Sequence, residues 1–132
     1  MEDCIFCKII KGEIPSYKVA ETGEAYAFLD IGPLSAGHTL VLPKKHIKNI
    51  FEADPKDLYP VLDLVQKIAA LMKEKLPCDG VNILVNNGEA AGQSVHHCHW
   101  HIIPRYAGDG YKFPPSGTLS PEKAQEILSK LQ

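Results

Sequence analysis

Three histidines alternate in the run His96-His97-Cys98-His99-Trp100-His101-Ile102-Ile103. Along a β-strand successive side chains point to opposite faces, so His97, His99 and His101 project together while Cys98, Trp100 and Ile102 face the other way. Neighbours on the shared face then stand roughly 6.5–7 Å apart. A structural strand has no need of three imidazoles on one face. Two chemistries answer to the pattern. A His-x-His pair can chelate a metal, since neutral imidazole is a good zinc ligand. Alternatively, the central histidine attacks an electrophile while its neighbours bind charge. Imidazole is a nucleophile and a leaving group near neutral pH, and a covalent intermediate divides one displacement into two easier ones.

The turn before this run bears on the choice. Gly88, Gly92, Gln93 and Ser94 can offer backbone N–H groups and two polar side chains to an anion, and glycine tolerates the φ values such a nest requires. A second constellation lies at the start of the chain, where Cys4-Ile5-Phe6-Cys7 has the spacing of half a zinc site. Cys78 and Cys98 are isolated, so the two missing ligands would have to be histidines; otherwise Cys4 and Cys7 are a pair of free buried thiols.

The elements that must position these groups are legible in outline. Ile5–Ile10 reads as a short helix ended by Gly12 and Pro15. Tyr17–Ala20, Ala25–Leu29 and Thr39–Leu42 read as strands, separated by Gly23-Glu24 and by the run from Gly32 to Gly37. Asp54-Pro55 is a helix cap followed by proline, and Leu58, Leu62, Val65, Ile68, Ala69, Met72 and Leu76 recur at helical spacing. Pro60 lacks the N–H an interior position needs, which moves the expected start of this helix to about Asp57. Pro77 and Gly80 end it. Val81–Asn86 and His97–Ile103 read as two further strands, and Ser120-Pro121 opens a short C-terminal helix through Leu131. Consecutive strands with one long helix predict an α+β fold, an antiparallel sheet of about five strands with the helices on one face.

With 132 residues the chain is expected to form one domain, 1–132. Its hydrophobic fraction of 45% and charged fraction of 23% are those of an ordinary globular protein. Net charge is −2 and no basic block is present, so a nucleic-acid polymer is not the expected partner. No apolar run approaches the ~20 residues a membrane span needs. The acidic Met1-Glu2-Asp3-Cys4 start lacks the charged and apolar regions of a signal peptide. The expected location is the cytoplasm, where a Cys-x-x-Cys pair is a metal or redox pair rather than part of a disulfide framework.

His97 through Ile103 resembles the signature of the histidine triad (HIT) nucleotide-binding hydrolases, His-φ-His-φ-His-φ-φ with φ apolar. Phe28-Leu29-Asp30-Ile31, Pro33-x-x-x-Gly37-His38, Pro43-Lys44-Lys45-His46, Gly92-Gln93-Ser94-Val95 and Pro104-Arg105-Tyr106 are similar to the corresponding family segments and occur in the family's order. The likeness runs from about Cys4 to Tyr106. It implies that His99 is the nucleophile, forming a nucleotidyl-imidazole later released by water. It places His38 and His101 as groups that orient His99 or contact the phosphate, and Ser94 near the leaving group. Asn86, Gly92 and Gln93 would line the phosphate and ribose region. Asp30 would accept hydrogen bonds from the ribose hydroxyls, although it could equally open the turn at Gly32-Pro33. Phe6 and Ile31 would contribute to a purine pocket. In members carrying the N-terminal cysteine pair, zinc is bound with two histidines, which implies Cys4, Cys7, His46 and His97 as a closed structural site.

Within the family, one branch transfers the nucleotidyl group to a sugar phosphate and carries Gln at the third triad position. His101 stands there in this chain, so water is the implied acceptor. A second branch cleaves dinucleoside polyphosphates; a third, of short homodimers, hydrolyses phosphoramidates of purine nucleoside monophosphates. The short chain and the Gly-Gln-Ser-Val segment favour the third, with no cofactor for the chemistry itself. The alternatives are a dinucleoside polyphosphate hydrolase and a zinc-stabilised nucleotide-binding regulator that retains the triad for binding only. The family fold further implies a two-fold dimer whose sheets join.

Overall fold

The computed structural model describes residues 3–132; Met1 and Glu2, half of the acidic start, lie outside the described residues. Five antiparallel strands form one sheet in the order β1-β2-β3-β5-β4, with β1 at Lys18–Glu21, β2 at Ala25–Leu29, β3 at Thr39–Pro43, β4 at Gly80–Val85 and β5 at Trp100–Arg105. The fold is α+β, as the strand and helix patterns predict. β1, β2 and β3 form a meander. The chain then crosses through a long helix, α2 (Pro55–Lys75), to the edge strand β4 before β5 inserts between β4 and β3.

Period-2 alternation sorts the strand residues between two layers. Ala25, Ala27, Val41, Cys98, Trp100 and Ile102 face α2 and meet its buried stripe of Val61, Leu64, Val65, Ile68 and Met72. Tyr26, Phe28, Leu40 and Leu42 face the other way and are covered by Phe6 and Ile9 of the short helix α1 (Ile5–Ile10). The helices therefore lie on both faces of the sheet, not on one. The reason is that α1, although only 6 residues long, carries two apolar side chains that need a cover of their own, and the sheet's second face is apolar at its centre.

α2 begins at Pro55 rather than near Asp57. The Asp54 carboxylate accepts the Lys56 N–H at 3.1 Å and its backbone carbonyl accepts the Asp57 N–H at 2.9 Å, which sets the first turn in place. Pro60 sits inside the helix and forgoes one backbone bond. A second difference matters for the site. β5 starts at Trp100, whereas the pattern predicts a strand from His97; residues 95–97 form a bend. Cys98 still anchors this lead-in, its N–H donating to the Ile47 carbonyl at 2.7 Å. The C-terminal helix α3 (Pro121–Leu131) starts at the predicted Ser120 cap and buries none of its residues.

Candidate functional site

The predicted sharing of one face by His97, His99 and His101 holds, because Cys98, Trp100 and Ile102 all pack under α2. Their environments differ, however. His99 and His101 line a cleft of about 310 Å³ with Phe6, Asp30, Ile31 and Ser94. His97 is fully buried beside it and points to the N-terminal cysteines.

His99 is held by its neighbour's backbone. Its Nδ1–H donates to the His97 carbonyl at 2.7 Å, so the neutral ring carries its lone pair on Nε2, at the opposite side. Burial lowers its pKa below 6.5, against the partly opposing pull of that hydrogen bond and of Asp30. Phe6 meets the His99 ring edge to face at 5.0 Å between centroids, and the His101 ring stands 5.0 Å away on the other side. An unprotonated, oriented imidazole on an otherwise apolar wall is what a nucleophile at phosphorus requires.

His38 supports His101 from behind, with its Nε2 at 3.0 Å from His101 Nδ1. Burial lowers the pKa of His38, and takes His101 to about 4, helped in the latter case by the proximity of His99 and His38. Both rings are thus neutral around pH 7. The loop that delivers His38 depends on Gly37, whose φ of +101° is unfavourable for residues bearing a Cβ. A Cβ there would meet Leu76 Cδ1 at 3.0 Å and Pro104 Cγ at 3.2 Å. Ser35 ties the same loop to β5 by donating to the Pro104 carbonyl at 2.6 Å.

Asp30 closes the turn with one oxygen and turns the other toward the cleft. Oδ1 accepts the Gly32 N–H at 2.8 Å, closing the turn, while Oδ2 lies 3.6 Å from His38 Nε2 at the mouth of the cleft. Ile31 lines the same mouth but is 88% exposed, so it forms a rim rather than a floor. The floor and walls come from Ile9, Ile14, Phe28, Leu40 and Val95, which the sequence does not distinguish from core residues.

Asn86, Gly92 and Gln93 do not line this cleft. Gln93 is 4% exposed and its amide holds the loop together. It donates to the Lys48 carbonyl at 2.7 Å and the Val95 carbonyl at 3.1 Å and accepts the Gly88 N–H at 2.9 Å. Gly92 caps a 3-10 turn at Glu89–Ala91 in the left-handed conformation, against the Asn86 side chain. The Gly88–Gln93 loop therefore leads Ser94 to the cleft while the Gln93 amide is engaged internally.

Cys4, Cys7, His46 and His97, the four residues implied as metal ligands, come together with their donor atoms all within 4.8 Å of one another. The individual separations are 3.5 Å for Cys4 Sγ to His97 Nδ1, 3.6 Å for Cys7 Sγ to His97 Nδ1 and 3.3 Å for Cys7 Sγ to His46 Nδ1. Tetrahedral zinc with bonds of about 2.3 Å to sulfur and 2.0–2.1 Å to nitrogen separates its ligands by roughly 3.5 Å. His97 Nε2–H donates to the Pro43 carbonyl at 2.7 Å, which frees Nδ1 to face the two sulfurs and supplies the outer hydrogen bond a ligating imidazole needs. Burial brings the His97 pKa to about 4 and raises that of the Cys7 thiol. The residues can hold a metal.

Comparison with known proteins agrees with this geometry. A model of the HIT domain matches residues 11–108. The chain belongs to the HIT family. It is 52% identical to Protein hit of Bacillus subtilis over 98% of this chain and 92% of the relative. It is also 43% identical to the adenosine 5'-monophosphoramidase hnt1 of Schizosaccharomyces pombe, over 98% of each. Among solved structures, a HIT family member from B. subtilis superposes with a TM-score of 0.90 at 46% identity, over 98% of this chain and 94% of that one. A Zn-bound histidine triad family protein from Mycobacterium smegmatis does so with a TM-score of 0.81 at 34% identity, over 98% and 96%. The five-stranded antiparallel sheet with its helices is thus the HIT fold. Among the described residues no helix is long and apolar enough to cross a membrane.

Proposed function

We propose that this HIT protein is a nucleotide-binding hydrolase that cleaves the phosphoramidate bond between a purine nucleoside monophosphate and an amine. The observation that carries the reading is His99, buried to 5% exposure, with Nδ1 donating to backbone and Nε2 left as a lone pair in a cleft walled by Phe6. His99 Nε2 bonds to the α-phosphorus as the phosphorus–nitrogen bond breaks, and the departing nitrogen takes up a proton from solvent at the cleft mouth and leaves as an amine; the water of the second step gives one proton back. Water then attacks the phosphorus, freeing His99 and yielding the nucleoside monophosphate. His101 and Ser94 meet the phosphate and leaving-group oxygens or nitrogen, where N–H and O–H donors stabilise developing charge. Asp30 Oδ2 accepts from the ribose, and Phe6 and Ile31 bracket the base.

The cleft volume of about 310 Å³ lies at the small end of ligand pockets, which favours a mononucleotide moiety over a dinucleotide. The phosphoramidase named among the relatives supports the same choice. Incubation with adenosine 5′-phosphoramidate and, separately, a dinucleoside tetraphosphate tests it. Turnover of the first, loss of turnover in His99→Ala, and a nucleotidyl adduct on His99 seen by mass spectrometry are expected. Preference for the tetraphosphate would move the protein to the polyphosphate branch. Tight AMP binding without turnover of either would make it a regulator.

Zinc is the metal we assign to Cys4, Cys7, His46 and His97, on the sulfur–nitrogen donor set and spacing and on the Zn-bound relative. A closed four-ligand site of this kind fixes structure and leaves no open position for substrate. It would tie α1 to the segment leading into β5. We further infer a homodimer in the cytoplasm. The edge strand β4 leaves one row of backbone groups free for pairing with a second copy and exposes Ile83 beside it. Light scattering would return the monomer mass if this is wrong, and cell fractionation checks the location.

A further inference from the structure

We propose that Ser16 is a specificity-determining residue of the cleft, whose hydroxyl, held by Tyr26, donates a hydrogen bond to the base and favours a 6-oxopurine over adenine. This rests on the nucleotide reading above and adds which base the cleft prefers. In that reading His99, His101, Ser94 and Asp30 serve the phosphate, the leaving group and the ribose. The rest of the lining is apolar except for Ser16. A polar side chain set alone in the apolar part of a pocket fixes orientation and specificity.

Strand pairing gives the cleft its direction. His101 stands opposite Leu40, and Leu40 opposite Phe28, so the wall runs from β5 across β3 to β2 over two strand spacings, about 10 Å. The connection between α1 and β1 then closes the cleft with Ile14, Pro15 and Ser16. Tyr26 and Phe28 share one face of β2, with ring centroids 6.0 Å apart. Ser16 Oγ meets Tyr26 Oη at 3.0 Å. The serine hydroxyl therefore lies at the end of the wall remote from the triad, where a base stretched over Phe28 presents its far edge.

The two hydroxyls have one favourable direction. Tyr26 is 7% exposed within the apolar cluster of Phe6, Ile9, Phe28, Leu40 and Leu42, and among the described residues Ser16 is the one hydrogen-bond partner of its side chain. Were Ser16 to donate, the phenolic hydrogen would be left without an acceptor, which a buried donor rarely tolerates. Tyr26 therefore donates and Ser16 Oγ accepts. The serine O–H, half-buried at the cleft wall, is left to donate to what occupies the cleft. An O–H whose oxygen already accepts is a stronger donor for it. A 6-oxopurine offers O6 and N7 as adjacent acceptors on one edge, whereas adenine puts an N–H donor in the place of O6. If Ser16 served only to satisfy Tyr26, the two bases would bind alike.

Steady-state kinetics of the full chain on inosine and adenosine 5′-phosphoramidates, which differ in the base alone, tests the assignment. KM for the inosine substrate should be roughly 2- to 10-fold lower, the span of one neutral hydrogen bond, with kcat nearly equal. Ser16→Ala should bring the two KM values together, while Ser16→Thr, which keeps the hydroxyl, should retain the difference. Tyr26→Phe should narrow it, because the serine is then free to turn away. A purely structural Ser16 would change stability on truncation but leave the KM ratio where it was. Equal KM values in the unmodified protein, a lower KM for adenosine, or an unchanged ratio in Ser16→Ala overturns the proposal. If Tyr26→Phe does not fold, the Ser16 variants decide alone. If neither phosphoramidate is turned over, the substrate reading fails by itself, and calorimetric titration with inosine and adenosine monophosphates reads the same preference through Kd.

Discussion

Replacing Gly37 by alanine tests the loop that delivers His38 to the site. At φ +101° the new Cβ sits in backbone territory that costs an L-residue roughly 1–2 kcal/mol. It also arrives 3.0 Å from Leu76 Cδ1 and 3.2 Å from Pro104 Cγ, on atoms belonging to the end of α2 and to β5. Leu76 can yield by a rotamer change; Pro104 is a ring within a central strand and cannot. Overpacking of this kind costs about 1–3 kcal/mol. The two effects together remove about 2–5 kcal/mol from a domain stability on the order of 5–15 kcal/mol. For a chain of this length each kcal/mol moves Tm by roughly 3–5 °C, so a fall of roughly 6–25 °C is expected in a calorimetric or circular dichroism melt. Adding Leu76→Ala relieves the 3.0 Å contact but not the backbone strain, so the double variant should be more stable than the sum of the single effects implies, by roughly 0.5–3 kcal/mol. A Tm within about 3 °C of the parent, or strict additivity of the pair, would refute the packing argument.

Chelation of the metal with a strong zinc chelator should lower Tm and be reversed by one equivalent of zinc, with Cys7→Ser abolishing the reversal; zinc below about a tenth of an equivalent in purified protein ends the idea. Phe6→Ala opens the cleft wall against His99 and truncates a buried aromatic ring. About 3–5 kcal/mol of stability should be lost, with a raised KM for the nucleotide, checked by urea unfolding and steady-state kinetics. Burial holds the folded-state pKa of His38 below 6.5 and that of His101 at about 4. The folded protein therefore binds fewer protons than the unfolded chain, and stability falls as pH drops from 6.5 toward 4, by up to ~1.4 kcal/mol per pH unit from His101, with His38 acting in the same direction. Denaturant midpoints that stay flat across this range would contradict it. Asp30→Asn should weaken binding of ribonucleotides and leave 2′,3′-dideoxynucleotides nearly unaffected, measured by calorimetry.

The strand alternation that put His97, His99 and His101 on one face was readable because Cys98, Trp100 and Ile102 are the kind of side chains α2 must cover. What pleating alone does not say is that His97 leaves the cleft. That division depends on the Pro43 carbonyl and on cysteines about 90 positions away in sequence, contacts with no local signal. The glycine-rich loop was recognisable as a turn, yet Gln93 folds inward because the Lys48 and Val95 carbonyls need a donor, a requirement visible only once α2 and β4 have brought the loop back to them. Ile9, Ile14, Phe28 and Leu40 carry no sequence mark that separates a cleft wall from a core. Asp30 was readable as a turn residue, and one oxygen does close the turn while the other lies beside His38 at the cleft mouth.

Within a single turn at the start of α1, Cys4 and Cys7 flank Phe6, the ring that packs against His99. Two equilibria therefore share one lever. If a metal on the cysteines changes the affinity of the cleft for a nucleotide, the nucleotide must change the affinity for the metal by the same factor, since linkage between binding events is reciprocal. Nucleotide affinity with and without zinc, and zinc affinity with and without nucleotide, would then read one and the same coupling from its two ends.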